Sequence, residues 1–194
     1  TRLVAVGGAS NALGTVNDVA EVVRIVRGHC SALVFVDAVQ LAPHLPVDVR
    51  DLGCDMLACS PYKLFGPHQG VLWGRADVMA RLEAYKVRPA SIDPPAHRFE
   101  TGTPSFEGQA GVLGVIEYLE WLGEEVAPRD NGRRGRLLGT MRAIADYERD
   151  LSRRLLDGLA SVPGLKLWGP PGVEGRVPTF SFTIEGHDPD AVAA

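Results

Sequence analysis

The sequence predicts an α/β fold built on a mostly parallel sheet. Leu33 to Val36 is a continuous apolar run, which is the pattern of a strand buried on both faces. This strand ends at Asp37, and a second apolar strand, Asp55 to Cys59, ends at Ser60 before a polar turn. Two strands at this spacing leave room for a crossover connection, so we expect them to be parallel.

Hydrophobic spacing and capping residues predict the other elements in order. Before these two strands we predict a short buried strand over Leu3 to Val6, a glycine-rich loop, and a helix that Thr15 or Asn17 caps and that runs to about Arg27. The later elements are a short helical turn at 46–53, an antiparallel strand at 70–73, a helix at 75–84, a loop at 88–103, helices at about 107–122 and 136–160, strands at 165–168 and 179–184, and a last helix with Asp188 as N-cap and Pro189 as its first residue. Pro128 to Gly132 marks the predicted boundary between two domains, residues 1–127 and 128–194.

Lys63, in the turn after the second apolar strand, is the first candidate for chemistry. The chain holds three lysines against seventeen arginines, so a lysine at a strand end suggests a need that arginine does not meet. A desolvated lysine loses its proton and attacks a carbonyl, whereas a guanidinium stays protonated. The alternative is a solvated lysine in a surface turn.

Asp37, Ser60 and Lys63 are expected to face one crevice, because ligands of open α/β sheets bind outside the carboxyl ends of the strands. Pyridoxal 5'-phosphate (PLP) requires three kinds of group found here. A buried carboxylate keeps its pyridine nitrogen protonated, a lysine holds its aldehyde, and hydroxyl groups bind its phosphate. A capping or turn aspartate is the alternative for Asp37.

Several sequence blocks follow one another along the chain and resemble a known family. They are Ser10-Asn11 with Gly14-Thr15, Asp37-Ala38-Val39-Gln40, Pro43-His44-Leu45-Pro46-Val47-Asp48 with Asp55, Ser60-Pro61-Tyr62-Lys63 with Gly66-Pro67, and Glu100-Thr101-Gly102-Thr103-Pro104. Together they resemble the cofactor core of fold-type I PLP-dependent enzymes. The resemblance is strongest to the class V aminotransferases and the cysteine desulfurase and selenocysteine lyase group.

The resemblance implies a fold, a cofactor and a set of site residues. The fold is part of the three-layer α/β/α large domain of PLP-dependent transferases, followed by the start of a smaller α+β C-terminal domain. The resemblance implies that Lys63 is the Schiff-base lysine and proton shuttle, and that Asp37 pairs with the pyridinium nitrogen. It implies that Gln40 contacts the ring oxygen and that Asn11 lies near the ring hydroxyl and the substrate carboxylate. Ser60 and Tyr62 would bind the phosphate, and Thr103 would bind the phosphate of the partner subunit. Alternatives stay open, because Asn11 and Gln40 also fit a role in satisfying their own backbone.

The function implied is that of a PLP-dependent, cysteine desulfurase-like enzyme acting on an amino acid, in a homodimer with a shared active site. Tyr62 departs from the desulfurase pattern, which usually has histidine before the lysine, and Tyr-Lys is found in kynureninases. A class V aminotransferase, an epimerase and a kynureninase-like hydrolase are therefore alternatives. A non-catalytic α/β module for binding or dimerisation is the alternative of another class.

Other polar side chains have weaker functional signals. His44 lies between two prolines, and His68 lies in the Pro67-His68-Gln69-Gly70 turn, which also departs from the desulfurase pattern. We interpret both histidines as structural, with a place at the substrate entrance as the alternative for His68. Cys59 lies within a strand and is interpreted as an inert thiol.

Composition excludes several function classes. A net charge of −4 does not favour nucleic acid or membrane surfaces, and no apolar stretch is long enough to span a bilayer. The three cysteines show no zinc spacing, so we expect no metal and reduced thiols in the cytoplasm. The 194 residues begin without methionine and are about half the length of family members, so we expect a fragment that is inactive by itself.

Overall fold

The computed structural model describes residues 1–88, 93, 95–100, 102–127 and 132–193, which form two β-sheets and their packed helices. The elements are β1 (Leu3–Gly7), α1 (Val19–His29), β2 (Leu33–Asp37), α2 (Val49–Leu52), β3 (Met56–Cys59), β4 (Val71–Gly74), α3 (Ala76–Arg81), α4 (Phe106–Val126), α5 (Gly132–Ala160), β5 (Leu165–Trp168), β6 (Ser181–Ile184) and α6 (Pro189–Ala193). Short 3₁₀ turns occur at Pro61–Leu64 and Pro95–Phe99.

The main sheet has the strand order β1-β2-β3-β4. β1, β2 and β3 are parallel, and β4 is antiparallel to β3. Asp37 pairs with Gly7 on one side and with Ala58 on the other, so the carboxyl ends of three strands lie at one edge of the sheet. The α/β class, the mostly parallel sheet and the antiparallel return strand are therefore confirmed.

The core lies between one face of this sheet and the helices α1 and α2. Val34 and Val36 of β2 are fully buried and belong to one cluster with Val19 and Val23 of α1. Val19 and Val23 lie on the helix face that the i, i+3, i+4 spacing predicts. Burying each such side chain stabilises the fold by about 1.5–3 kcal/mol.

The opposite face of the main sheet is less covered than the sequence predicts. Leu33 and Phe35 are half-buried, and Leu3 of the edge strand β1 is 51% exposed. The expectation that the strand at Leu33 to Val36 is buried on both faces is therefore wrong, and so is the expectation of a buried strand at Leu3 to Val6. The reason is that side chains alternate along a strand, and α1 and α2 pack against one face only.

The start of α1 also differs from the prediction. Asp18 caps the helix, and its side chain accepts the backbone N–H of Glu21 at 2.9 Å. Asn17 instead donates its side-chain amide to the carbonyl of Gly7 at 2.8 Å, and Thr15 forms an isolated bridge with Arg176. Both predicted caps are therefore used in tertiary contacts, which local spacing does not encode.

Helices α4 and α5 pack against each other at close range. A Cβ at Gly123 would lie 2.5 Å from the carbonyl oxygen of Arg136, so glycine is needed at this contact. Thr140 is fully buried and donates its hydroxyl to the carbonyl of Leu119 at 2.6 Å. Residues 128–131 of the predicted domain boundary lie outside the described residues, and the division into two domains stays a prediction.

The C-terminal elements are an antiparallel hairpin of β5 and β6 followed by α6. β6 begins at Ser181 and not at Thr179, because Thr179 is engaged by other contacts described below. Asp188 accepts the backbone N–H of Asp190 at 2.9 Å at the start of α6, which confirms the predicted cap. No helix in the described ranges is long and apolar enough to cross a membrane.

Candidate active site

The candidate site lies at the carboxyl edge of the parallel strands. Asp37 ends β2, and Ser60 follows β3 as the N-cap of the 3₁₀ turn Pro61–Leu64, which carries Lys63. The backbone N–H of Lys63 donates to the carbonyl of Ser60 at 3.0 Å, which fixes the turn. The fold thus brings the predicted residues of two separate strands to one edge.

Lys63 is half-buried, and its amino group is held by a side chain from the neighbouring strand. Its Nζ donates to Oε1 of Gln40 at 2.8 Å. Gln40 lies three residues after Asp37, so this bond joins the end of β2 to the turn after β3. The turn that carries Lys63 is therefore tied to the end of the neighbouring strand through this side chain.

Gln40 also reaches the C-terminal part of the chain. Its Nε2 donates to Oγ1 of Thr179 at 2.9 Å, across 139 residues of sequence. Sequence reasoning missed Thr179 and assigned it to a strand. No local signal marks this residue, because its contact depends on how the C-terminal segment packs on the main sheet.

Asp37 differs from the expected buried carboxylate, because it is exposed. One of its oxygens accepts the backbone N–H of Val39 at 2.9 Å. The side chain lies on the sheet face opposite Val34 and Val36, which is the less covered face. Its carboxylate is accessible to a ligand at the same edge as Lys63.

Asn11 lies in an exposed turn that other residues hold in place. Oγ of Ser10 accepts the backbone N–H groups of Ala12 and Leu13 at 3.2 and 3.0 Å. The side chain of Asn11 makes no hydrogen bond to any residue that the structure describes. Its amide is not used to satisfy its own turn.

Gly14 connects the Asn11 turn to the C-terminal segment. It has φ +77°, and a Cβ there would lie 2.5 Å from the carbonyl oxygen of Thr179 and 2.7 Å from that of Val177. Left-handed backbone and a close backbone neighbour both require glycine. The turn that carries Asn11 therefore depends on this residue.

We expect Gly14→Ala to lower the free energy of unfolding by about 1–3 kcal/mol, since alanine is strained at positive φ and would push Thr179 away. Urea denaturation of the intact protein measures the change. Gly28→Ala is the matched control, because this glycine is helical and a Cβ there meets no atom within 4 Å. Equal stability of both variants would contradict the prediction.

Ser60 and Tyr62 both lie shortly before Lys63 in the chain and carry free hydroxyl groups. Neither hydroxyl has a hydrogen-bond partner in the part of the chain that the structure describes. The Tyr62 ring is 46% exposed and stacks on His68, with ring centroids 5.2 Å apart and planes inclined by 21°. His68, from the following turn at 67–70, therefore supports the ring of Tyr62.

Thr103 has no hydrogen bond to these residues among those that the structure describes. It is exposed between Gly102 and Pro104. Thr101 of the same block lies outside the described residues.

His44 and Cys59 have structural surroundings. His44 Nδ1 lies 2.9 Å from Oε2 of Glu148 on α5, and both line a cavity of about 200 Å³ that contains none of the predicted cofactor residues. Burial raises the pKa of the Cys59 thiol, which makes the reactive thiolate scarcer. In the described ranges no cluster of three His, Cys, Asp or Glu residues is suited to a metal ion.

Asp55 is a buried charge that stabilises the sheet under the site. It is 1% exposed and accepts from Arg27 at 2.5 Å, from Arg75 at 2.9 Å and from the backbone N–H of Val34 at 2.7 Å. Burial by itself raises the pKa of this carboxyl, but the hydrogen bonds and the two guanidinium groups outweigh it, so the pKa is lowered below its usual 3.8. This network fixes the start of β3 against β2.

A family model described as Aminotransferase class-V matches residues 1–194. The chain belongs to the class V aminotransferase family. Its curated relatives include a cysteine desulfurase of Dickeya dadantii, 37% identical over 200 residues, and an aminotransferase-like protein of Gibberella zeae, 34% identical over 198 residues. These alignments cover 96% and 99% of this chain, but 43% and 45% of the two relatives.

Solved structures give the same family. The class V chain matches the apo cysteine desulfurase of Thermococcus onnurineus with a TM-score of 0.82 and 30% identity, over 100% of this chain and 46% of that one. The chain thus spans slightly under half the length of the relatives it matches. The strand edge that carries Lys63 and the segment that carries Thr179 both lie within the residues that the family model matches.

Proposed function

We propose that the protein carrying this chain is a PLP-dependent, cysteine desulfurase-like enzyme that acts on an amino acid, with Lys63 as the lysine that binds the cofactor. The contact of Lys63 Nζ with Gln40, at the strand edge that also carries Asp37, is the observation on which the proposal rests. The curated relatives named cysteine desulfurase support the reaction. The class V family supports the cofactor.

The groups at this edge fit PLP by their chemistry. A carboxylate, a primary amine and an amide match the pyridine nitrogen, the aldehyde and the ring oxygen of the cofactor. The unpartnered hydroxyls of Ser60 and Tyr62 are donors suited to a phosphate. Each group of the cofactor thus finds a complementary side chain.

Each side chain has a defined task in this proposal. Bound PLP supplies an electron sink for charge that develops on the substrate carbon. Asp37 would keep the pyridine nitrogen protonated, and Lys63 would hold the aldehyde and later move protons at the substrate carbon. The remaining contacts would be Gln40 and Asn11 to the ring oxygen, Asn11 also to the substrate carboxylate, Ser60 and Tyr62 to the phosphate, and Thr103 to the phosphate of a second subunit.

Uptake of PLP by the intact protein tests the proposal. Reduction with borohydride followed by peptide mass spectrometry should place the cofactor mass on Lys63. Cysteine as substrate, in the presence of a thiol reductant such as dithiothreitol, should then give alanine and sulfide. Failure of the intact protein to take up PLP would favour a non-catalytic binding module instead.

An aminotransferase is the second candidate, because one relative is named aminotransferase-like. The same incubation separates the two reactions. Formation of a keto acid from an amino acid, without sulfide from cysteine, would favour transamination. An epimerase or a kynureninase-like hydrolase would give neither pattern.

We also propose that the protein is a homodimer, located in the cytoplasm. Phe65, Tyr118 and Trp121 form an aromatic cluster next to the Lys63 turn, with ring centroids 5.7 and 5.8 Å apart, and they are 69%, 42% and 53% exposed. A contiguous aromatic surface of this kind is typical of an interface. The exposed Thr103, with no hydrogen bond in the described part of the chain, is available to a second subunit, and the three unpaired cysteines support a reducing compartment.

We expect Trp121→Glu to shift the intact protein from dimer to monomer in light scattering, since it places a charge in the aromatic cluster. Trp168→Glu is the matched control, because Trp168 is similarly exposed but lies on β5. A wild-type protein that is monomeric at all concentrations would rule out the dimer.

A further inference from the structure

The hydrogen bonds of Lys63 continue beyond the predicted site residues. Lys63 donates to Oε1 of Gln40 at 2.8 Å, and Nε2 of Gln40 donates to Oγ1 of Thr179 at 2.9 Å. An amide has a donor end and an acceptor end, and a threonine hydroxyl can pair with either of them. Thr179 therefore holds the Gln40 side chain in place, with the amide oxygen facing the lysine in this structure.

Thr179 is itself held firmly by its own segment. Arg176 is 8% exposed, and its guanidinium donates to the carbonyls of Thr179 and Pro170 at 2.5 and 2.6 Å while it lies 3.9 Å from the ring centroid of Phe180. The backbone N–H of Thr179 donates to Val177 at 2.7 Å. The hydroxyl thus comes from a well-anchored backbone.

The same segment, residues 175–181, also supports the turn that carries Asn11. Val177 donates its N–H to the carbonyl of Gly14 at 2.8 Å, and Gly175 accepts the N–H of Val16 at 2.9 Å. Ser181 donates its hydroxyl to the carbonyl of Ala12. One segment therefore contacts both loops from which the proposed ring-oxygen contacts come.

We propose that Thr179 is a positioning residue of the cofactor site, which holds the Gln40 amide beside Lys63 by pairing with it in either of its two orientations. This inference rests on the proposed function. With the lysine free, Gln40 presents its carbonyl to the amine. A cofactor ring oxygen is an acceptor, so Gln40 would present its NH₂ group to it with the amide reversed. A hydroxyl accepts in the first arrangement and donates in the second, and a hydrocarbon side chain does neither.

The test compares three variants of the intact protein. Thr179→Val removes the hydroxyl at nearly constant shape, and Thr179→Ser keeps it. Thr183→Val is the matched control, because Thr183 is exposed on β6 and only accepts from Trp168. The readouts are the dissociation constant for PLP, the pH midpoint of the visible absorbance of the PLP-loaded protein, and the unfolding temperature of the cofactor-free protein.

For Thr179→Val we expect PLP binding about three- to tenfold weaker, as for the loss of one hydrogen bond. We also expect the absorbance midpoint to move by about half a pH unit. Thr179→Ser should stay within about twofold of the wild type, and the unfolding temperature should match that of Thr183→Val. If Thr179→Val keeps the wild-type dissociation constant and midpoint, or loses binding only together with its unfolding temperature, the inference fails. A wild-type protein without PLP uptake would instead overturn the proposed function.

Discussion

Replacing Lys63 by alanine is expected to abolish the visible absorbance of the PLP-loaded intact protein and to lower turnover at least about 10²–10⁴-fold. The physical reason is that the amine both attaches the cofactor and moves the proton, and no neighbouring group replaces it. Gln40, its hydrogen-bond partner, is a neutral amide that does neither. Absorbance after dialysis and product formation from an amino acid measure the two effects.

Two further variants make this result specific. Lys63→Arg keeps the positive charge but not the nucleophile, so it should lose the absorbance as Lys63→Ala does. Lys166→Ala should keep it, because Lys166 lies over the ring of Trp168, on β5 and outside the site. A Lys63→Ala protein that stays yellow after dialysis would show that another residue holds the cofactor.

Replacing Asp55 by alanine is expected to lower the free energy of unfolding by about 3–5 kcal/mol. The change removes the acceptor for Arg27, for Arg75 and for the buried backbone N–H of Val34, which lies 21 residues away in sequence. Urea denaturation measures the difference. Asp77→Ala is the matched control and should remain near the wild-type midpoint, since Asp77 pairs with Arg75 at an exposed position.

The contribution of Asp55 should also depend on pH. Its carboxyl has a pKa lowered below 3.8 in the folded state, so the folded protein releases this proton more easily than the unfolded chain. The stabilisation is then complete above about pH 5 and is lost as the pH falls below 3.8 through the folded-state pKa. The difference between wild type and Asp55→Ala should therefore shrink in acid, and a constant difference down to pH 2 would contradict this account.

Much of the fold follows from local sequence. The apolar run Leu33 to Val36, the valines of α1 and the capping pair Asp188 and Pro189 each predict an element that the structure contains. These signals are local, because strand and helix periodicity and capping act over a few residues. Local sequence predicts the ends of the elements less well. Asp18 caps α1 in place of the predicted Thr15 or Asn17.

The candidate site also has a part that local sequence predicts and a part that depends on tertiary packing. The α/β class and the placement of Asp37, Ser60 and Lys63 at strand ends follow from local sequence, because parallel strands bring their carboxyl ends to one edge. The contacts of Gln40 with Lys63 and with Thr179, and the exposure of Asp37, follow from the packing of the folded chain. These facts depend on which surfaces pack together across as many as 139 residues, and side-chain spacing within one segment carries no record of that packing.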